Sequence, residues 1–118
     1  MDLSGKLQLK PGQSVAIVNA PADAALELAD HPVAGEPGDA DATVVYCANQ
    51  AELERLSDDI VSSARRDALT WVAYPKAGQL GTDLNRDVLA GLVTAHGVRP
   101  VRQVALDDVW SALRLRPA

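Results

Sequence analysis

Large aromatic residues and cysteines are scarce in this sequence. It contains no phenylalanine, and its one cysteine is Cys47. A lone cysteine excludes an internal disulfide and is typical of proteins from a reducing compartment. Because alanine, valine and leucine carry most of the hydrophobic share of 47%, the core has to be assembled from many small contacts.

Basic clusters and long apolar runs are also missing. Eleven Lys and Arg stand against 16 Asp and Glu, which gives a formal net charge of −5. Nucleic-acid binding needs clustered positive charge to neutralise phosphates, so this balance argues against a nucleic-acid partner. No apolar run approaches bilayer-spanning length, and the chain opens without a basic start or an apolar signal region. We therefore expect a cytoplasmic protein with no membrane partner.

The stretch of residues 68–76 is the most informative part of the chain. Six of its first seven residues are apolar or aromatic, which predicts a strand covered on both faces of a parallel sheet. Pro75 ends the strand because proline cannot donate a ladder hydrogen bond. The loop over residues 76–83 then lies at the carboxyl end of a central strand, where open α/β sheets bind ligands.

Similar patterns predict the other elements. Four further strands are expected over residues 14–18, 43–48, 98–106 and 109–116, and a short edge strand is expected within residues 33–41. The last two strands form an antiparallel hairpin through Asp107-Asp108, because a join this short permits no crossover. Helices are expected over residues 21–30, over residues 51–66 from a capping box of Asn49 and Glu52, and from a cap at Thr82 or Asp83 to His96-Gly97.

The order of these elements, β-α-β-β-α-β-α-β-β, indicates one α/β domain over residues 1–118. We expect a Rossmann-like three-layer sandwich with a mostly parallel sheet and a C-terminal antiparallel hairpin. That hairpin, and the turn Leu9-Lys10-Pro11-Gly12 before the first strand, make the domain similar to a trimmed, degenerate methyltransferase-type Rossmann domain.

Short motifs along nearly the whole chain carry a narrower resemblance. They are Lys10-Pro11-Gly12-Gln13 leading into Asn19-Ala20-Pro21, Ala51-Glu52-Leu53-Glu54-Arg55, Trp71-Val72-Ala73-Tyr74-Pro75-Lys76, Thr82-Asp83-Leu84, and Asp107 with Trp110-Ser111-Ala112-Leu113. In these motifs the chain resembles an uncharacterised family of small bacterial proteins, domain of unknown function three-zero-five-two. It departs from the family pattern at Tyr74, where tryptophan is expected, and at Arg65-Arg66-Asp67, which replaces a Pro-Gly-Gly turn. The resemblance implies the fold and carries no known activity.

The turn Asn19-Ala20-Pro21 follows the first strand, where a dinucleotide or S-adenosylmethionine site would begin. Such sites use glycines there so that the backbone can approach the ligand, and an acid after the next strand binds the ribose. This turn has no glycine, and Glu36 is the one acid near the expected end of the second strand. We therefore expect no cofactor, with Asn19, Ala20 and Pro21 as the remnant of a degenerate cofactor site.

Lys76, Thr82 and Asp83 form the candidate ligand site. Lys76 follows the buried strand directly, in a chain with only three lysines. Together with the backbone N–H groups at the start of the next helix, it could hold an anion such as phosphate. A solvated lysine beside a helix cap explains the same pattern, so both interpretations stay open at this point.

The other polar residues indicate structure rather than chemistry. Asp107 and Asp108 suit a turn, Ser111 lacks the glycine elbow of a nucleophile, and Cys47 lies in an apolar run as a small hydrophobe does. The two histidines are far apart and have no metal-ligand spacing around them. We predict no catalytic residue and no metal.

Three functions are compatible with the sequence. The first is a non-catalytic Rossmann-like module that binds a protein partner or forms a homo-oligomer. The second is a divergent S-adenosylmethionine-dependent methyltransferase-like enzyme. The third is a regulatory domain that binds phosphate or a nucleotide through Lys76, Thr82 and the helix start. The missing glycines after the first strand favour the first.

Overall fold

The structure is a computed structural model that describes residues 7–10, 12–19, 40–66, 68–76 and 79–117. The predicted helix over residues 21–30 lies outside the described residues, as do Ala20 and Pro21 of the predicted cofactor turn. Most of the predicted edge strand within residues 33–41 lies outside them too.

The described residues form one five-stranded sheet and two α-helices. The strands are β1 (Val15–Val18), β2 (Ala42–Tyr46), β3 (Leu69–Pro75), β4 (Val98–Ala105) and β5 (Trp110–Pro117). The helices are α1 (Gln50–Arg65) and α2 (Arg86–Ala95), and a 3₁₀ turn covers Gln79–Gly81. Neither described helix has the length and apolar character needed to cross a bilayer.

The strand order is β1-β2-β3-β5-β4, so β3 lies at the centre as predicted. The pairings of β1 with β2 and of β2 with β3 are parallel, whereas β5 is antiparallel to both β3 and β4. The hairpin is confirmed, but the prediction of a mostly parallel sheet is wrong, because two of the four strand pairings that the described residues form are antiparallel.

The composition of the hairpin explains this mixed sheet. Five residues of β5 are buried, whereas β4 is largely exposed and carries Arg99, Pro100 and Arg102. The apolar strand therefore takes the interior place beside β3. The charged, proline-containing strand takes the edge, where a missing donor costs least and charge discourages further pairing.

The core consists of two clusters, one on each face of the sheet. On one face, Val45, Val72 and Leu113 pack against both helices, for example against Ile60 of α1 and Leu89 of α2. The cluster on the opposite face is formed by Leu7, Val15, Ala42, Val44, Tyr46, Trp71, Ala73, Trp110 and Ala112. Within the described ranges both helices lie on the same face, so the three-layer arrangement stays a prediction.

The two helices begin at asparagine caps. The Asn49 side chain accepts from the Glu52 backbone N–H at 2.9 Å, which confirms the predicted start of α1. The prediction that Thr82 or Asp83 caps α2 is wrong: Asn85 is the cap, and its Oδ1 accepts from the Val88 N–H at 2.9 Å. Thr82 and Asp83 make hydrogen bonds elsewhere, as described below.

Candidate functional site

Asn19 directly follows β1, and its side chain reaches the end of β2 and the start of α1. Its backbone φ is +61°, a conformation that glycine adopts most easily and asparagine tolerates. The Asn19 Nδ2 donates to the Tyr46 carbonyl at 2.9 Å and to Glu52 Oε1 at 2.8 Å. Arg55 donates to the Asn19 Oδ1 at 3.4 Å. The amide of this predicted cofactor residue is thus used within the fold.

Cys47 directly follows Tyr46, whose carbonyl accepts from Asn19. It is fully buried, which confirms its predicted role as a small hydrophobe. The pKa of the thiol is raised to about 12, mainly by burial and further by the Glu52 carboxylate, with the Arg55 guanidinium acting in the opposite direction. Since the thiolate is the reactive form, Cys47 is unreactive at neutral pH.

Thr82 and Asp83 join the loop after β3 to the start of α1. The Thr82 hydroxyl donates to the Ala48 carbonyl at 2.7 Å and accepts from the Leu84 N–H at 3.0 Å. The Asp83 Oδ1 accepts from the Gln50 N–H at 2.8 Å, and the Gln50 side chain donates to the Asp83 carbonyl at 3.2 Å. These bonds fix the loop and explain why neither residue caps α2.

The backbone of Lys76 is held by hydrogen bonds, whereas its side chain has no partner within the described ranges. Its N–H donates to the Val109 carbonyl at 2.7 Å, and its carbonyl accepts from the Gln79 N–H at 2.9 Å. The side chain is half-buried, and it makes no hydrogen bond or ion pair with any residue that the structure describes. Of the three residues of the predicted ligand site, Lys76 is therefore the one whose polar group remains available.

The Lys76 side chain lines a cavity of about 420 Å³ at the carboxyl end of β3. The cavity lies between the end of β3, the start of α2 and the two strands of the hairpin. Its lining residues are Tyr74, Lys76, Asn85, Arg86, Asp87, Gln103 and Ser111. A volume of a few hundred cubic ångströms, about 300–1,000 Å³, is usual for small-molecule sites.

Most polar groups that line this cavity are free to donate hydrogen bonds. Asn85 uses its oxygen as the helix cap, so its NH₂ group remains. The Tyr74 hydroxyl accepts from Gln103 Nε2 at 2.8 Å, and because burial raises the Tyr74 pKa, the hydroxyl keeps its own hydrogen. Ser111 is only 5% exposed, and its hydroxyl has no hydrogen-bond partner in the described part of the chain.

Positive charge dominates the cavity although the protein is acidic. Lys76 and Arg86 face a single acid among the lining residues, Asp87. The contact of Arg86 with Asp87 spans 3.8 Å between side chains that are 64% and 93% exposed, so solvent screens it. Arg86 also occupies the first position of α2, where the helix dipole disfavours a cation. An anion in the cavity would offset the excess of positive charge and the unfavourable position of Arg86 at the start of the helix.

Sequence reasoning identified Lys76 but did not identify Tyr74, Asn85, Arg86 or Gln103 as site residues, and it assigned Ser111 to packing. A signal existed for Arg86, since a cation next to a predicted helix start contradicts the dipole preference. No sequence signal existed for Gln103 or Ser111, because these residues approach Tyr74 only when β5 pairs with both β3 and β4.

Comparisons of the sequence with family models and with curated proteins find no match. Among solved structures, the chain is similar to one described as the structure of LepI in complex with SAM, with a TM-score of 0.51 and 14% sequence identity. The similarity covers 98% of this chain and 39% of the LepI chain, so this chain spans about two-fifths of that structure. At this identity the likeness shows the fold alone, which is a mixed α/β fold of the Rossmann-like kind.

Proposed function

We propose that this domain is a non-catalytic Rossmann-like module that binds a small oxyanion, a phosphate or carboxylate group, in the cavity beside Lys76. The observation that carries the proposal is that Lys76 lines a cavity together with Arg86 and the start of α2, and that its ammonium has no partner among the described residues. Backbone N–H groups of a first helical turn have no partner within the helix, so they add donors and a positive dipole end.

The hydrogen-bonding character of the cavity supports an anion over a neutral ligand. The charged oxygens of phosphate and carboxylate groups accept hydrogen bonds, and the available groups of Lys76, Arg86, Asn85, Tyr74 and Ser111 donate. Thr82 and Asp83 contribute indirectly, since their bonds to Ala48 and Gln50 hold the loop that connects β3 to α2.

The lining residues also favour binding over catalysis. Ser111 is a hydroxyl without a base to activate it, since the lining residues include no histidine and their one carboxylate, on Asp87, is 93% exposed. The Tyr74 hydroxyl has a raised pKa, which opposes its use as a base at neutral pH.

Thermal unfolding with inorganic phosphate tests the proposal. A ligand at 100 times its Kd stabilises the native state by about 2.7 kcal/mol, which raises the midpoint by several degrees in a domain of this size. We expect Lys76→Ala to abolish the phosphate-dependent rise while leaving the midpoint without phosphate nearly unchanged. Lys10→Ala is the matched control, because Lys10 is exposed and its side chain lies outside the cavity. An equal rise in the parent and in Lys76→Ala would refute the proposal.

A methyltransferase-like enzyme is the second proposal, and the likeness to the LepI–SAM structure favours it at the level of the fold. The use of the Asn19 amide within the fold weighs against it. Thermal unfolding with S-adenosylmethionine and S-adenosylhomocysteine at millimolar concentration tests it, and an unchanged midpoint would remove it. A shift that survives Lys76→Ala would place that ligand outside the anion cavity.

Three further expectations from the sequence are also proposals. They are a protein partner or homo-oligomer, which size-exclusion chromatography coupled to light scattering tests, a bacterial and cytoplasmic origin, and membership of the small family named above.

A further inference from the structure

The Ser111 hydroxyl is a nearly buried donor on the wall of the anion cavity. Ser111 is only 5% exposed and lies directly opposite Tyr74 in the ladder between β5 and β3. Its hydroxyl has no hydrogen-bond partner within the described ranges. It also differs from the Thr43 hydroxyl, which has no partner among the described residues and is sealed inside the core. A donor that the fold leaves unused at a cavity wall indicates that a ligand is its partner.

The donors of the anion cavity come from three sides. Tyr74 and Ser111 lie on the sheet, and Lys76 lies just beyond the end of β3. Asn85 and Arg86 lie at the start of α2, which packs over the same face of the sheet as Tyr74. An anion in the cavity is therefore surrounded by donors from the sheet, the strand end and the helix.

This arrangement distinguishes between the two kinds of anion that the proposed function allows. A carboxylate has two oxygens, and its hydrogen bonds prefer the plane of the carboxyl group. A phosphate group on an organic molecule has three acceptor oxygens, which are not confined to one plane with their donors. Donors on three sides of the cavity fit the three oxygens of a phosphate. They leave at least one donor outside the plane of a carboxylate.

The charge of the cavity also fits a phosphate better than a carboxylate. Lys76 and Arg86 supply two positive charges, whereas the Asp87 carboxylate is 93% exposed. A phosphate monoester carries close to two negative charges above pH 7, because its second pKa is about 6. A carboxylate group carries one. A phosphate dianion therefore neutralises both cations, which a single carboxylate does not.

We infer that the ligand of this domain carries a phosphate group bound as its dianion, and that the Ser111 hydroxyl is the donor that selects it over a carboxylate. The inference rests on the proposed function, since the phosphate occupies the same cavity. It adds the chemical class of the ligand and makes Ser111 a specificity-determining residue. Lys76 then contributes to the affinity for any anion, whereas Ser111 decides which anion is preferred.

Calorimetric titration at pH 8 with methyl phosphate, inorganic phosphate and oxalate tests this inference. Oxalate also carries two negative charges but is built from carboxylates, so it separates the shape of the anion from its charge. We expect the phosphates to bind about tenfold more tightly than oxalate. The tighter of the two phosphates shows whether the ligand is a monoester or the free ion. Ser111→Ala should weaken phosphate binding by about tenfold, as loss of a hydrogen bond to a charged group does, and leave oxalate binding unchanged.

Ser57→Ala is the matched control for Ser111→Ala. Ser57 is a half-buried serine on α1 whose hydroxyl donates to the Glu54 carbonyl at 2.9 Å, and it lies outside the cavity. It should leave the binding of all three anions unchanged. Without ligand, the thermal midpoint of Ser111→Ala should equal that of the parent, since the variant loses no hydrogen bond within the described part of the chain. A midpoint several degrees lower would show that the hydroxyl serves the fold, and it would refute the inference.

The outcomes separate the two proposals. If phosphate and oxalate bind equally well and both depend on Lys76, the proposed function stands and the inference fails. If Ser111→Ala weakens both kinds of anion equally, or weakens neither, Ser111 does not select the ligand and the inference is refuted. If no anion binds to the parent protein, both proposals fail.

Discussion

Thr43 of β2 and Thr70 of β3 lie directly opposite each other, yet only one of the two buried hydroxyls has a hydrogen-bond partner among the described residues. The Thr70 hydroxyl donates to the Ala68 carbonyl at 3.0 Å and shares a hydrogen bond with the Ser63 hydroxyl at 2.7 Å. The Thr43 hydroxyl makes no hydrogen bond with any residue in the described part of the chain. Burial of the Thr43 hydroxyl is therefore expected to lower the free energy of unfolding, whereas the bonded Thr70 hydroxyl is expected to contribute to it.

We predict that Thr43→Val raises the free energy of unfolding by on the order of 1 kcal/mol, because the desolvated hydroxyl disappears while the side-chain shape is kept. Thr70→Val is expected to lower it by about 1–3 kcal/mol, since it leaves the Ser63 hydroxyl without its buried partner. Urea unfolding of both variants measures the difference, provided that the m-values agree. A destabilised Thr43→Val variant would show that this hydroxyl has an acceptor or donor in solution.

Gly91 and Gly97 provide a second matched pair. Gly91 lies inside α2 with open space where a Cβ would stand, so Gly91→Ala should stabilise by about 0.5–1 kcal/mol through helix propensity. Gly97 ends α2 with a φ of +86°, and its Cβ would lie 3.1 Å from Arg65 Nη2. Gly97→Ala should destabilise by about 1–2 kcal/mol. Thermal midpoints that moved in the same direction for both variants would contradict this assignment.

The contribution of Asn19 to the free energy of unfolding can be divided into a backbone part and a side-chain part. Asn19→Gly keeps the left-handed backbone at no steric cost but loses the side-chain bonds to Tyr46, Glu52 and Arg55. We expect it to lower the free energy of unfolding by on the order of 1 kcal/mol. Asn19→Ala should lower it by about 1–2 kcal/mol more, because a Cβ is disfavoured at positive φ. Denaturant unfolding of the two variants gives the ranking, and equal stabilities would rule out a backbone contribution.

Cys47 predicts a loss of stability at alkaline pH. Its pKa rises from 9.0 to about 12 in the folded protein, so its contribution is fully present below pH 9 and is lost as the pH rises towards 12. Tyr46 acts in the same direction from pH 10, because burial, helped by the Asp107 charge, raises its pKa from 10.0 to about 12. Between pH 9 and pH 10 the parent should therefore lose stability faster than Cys47→Ala. Urea unfolding at pH 8, 9 and 10 measures the two slopes, and equal slopes would contradict the prediction.

The features that could be predicted from the sequence are those that depend on neighbouring residues. The Gln13 N–H bonds the Lys10 carbonyl at 3.2 Å around Gly12 with a φ of +81°, so the predicted turn before β1 is confirmed. The Asp107 side chain accepts from the N–H groups of Val109 and Trp110, as expected of a residue that forms a turn. Such choices are decided within four residues and are visible in the sequence.

The features that escaped prediction depend on contacts between distant segments. Thr82, Asp83 and Asn85 are all good helix caps by type, and the choice among them was decided by the positions of Ala48 and Gln50, more than 30 residues earlier. The residues that surround Lys76 in the candidate site could not be predicted for the same reason. Lys76 was visible as a lone lysine after a buried strand, but the groups around it come together only when the hairpin docks with β5 inside.

The place of β5 between β3 and β4 also affects the order in which the sheet is assembled during synthesis. The ribosome releases β4 before β5, although β5 is the strand that joins β4 to the rest of the sheet. Until residues 110–117 emerge, the buried strand β3 has one edge without a partner strand, and a nascent chain that stalls at this stage exposes a template for aggregation. The sheet is therefore completed by an interior strand that is made after the edge strand β4. Slow translation between β4 and β5 prolongs the time in which the growing chain can aggregate through the open edge of β3.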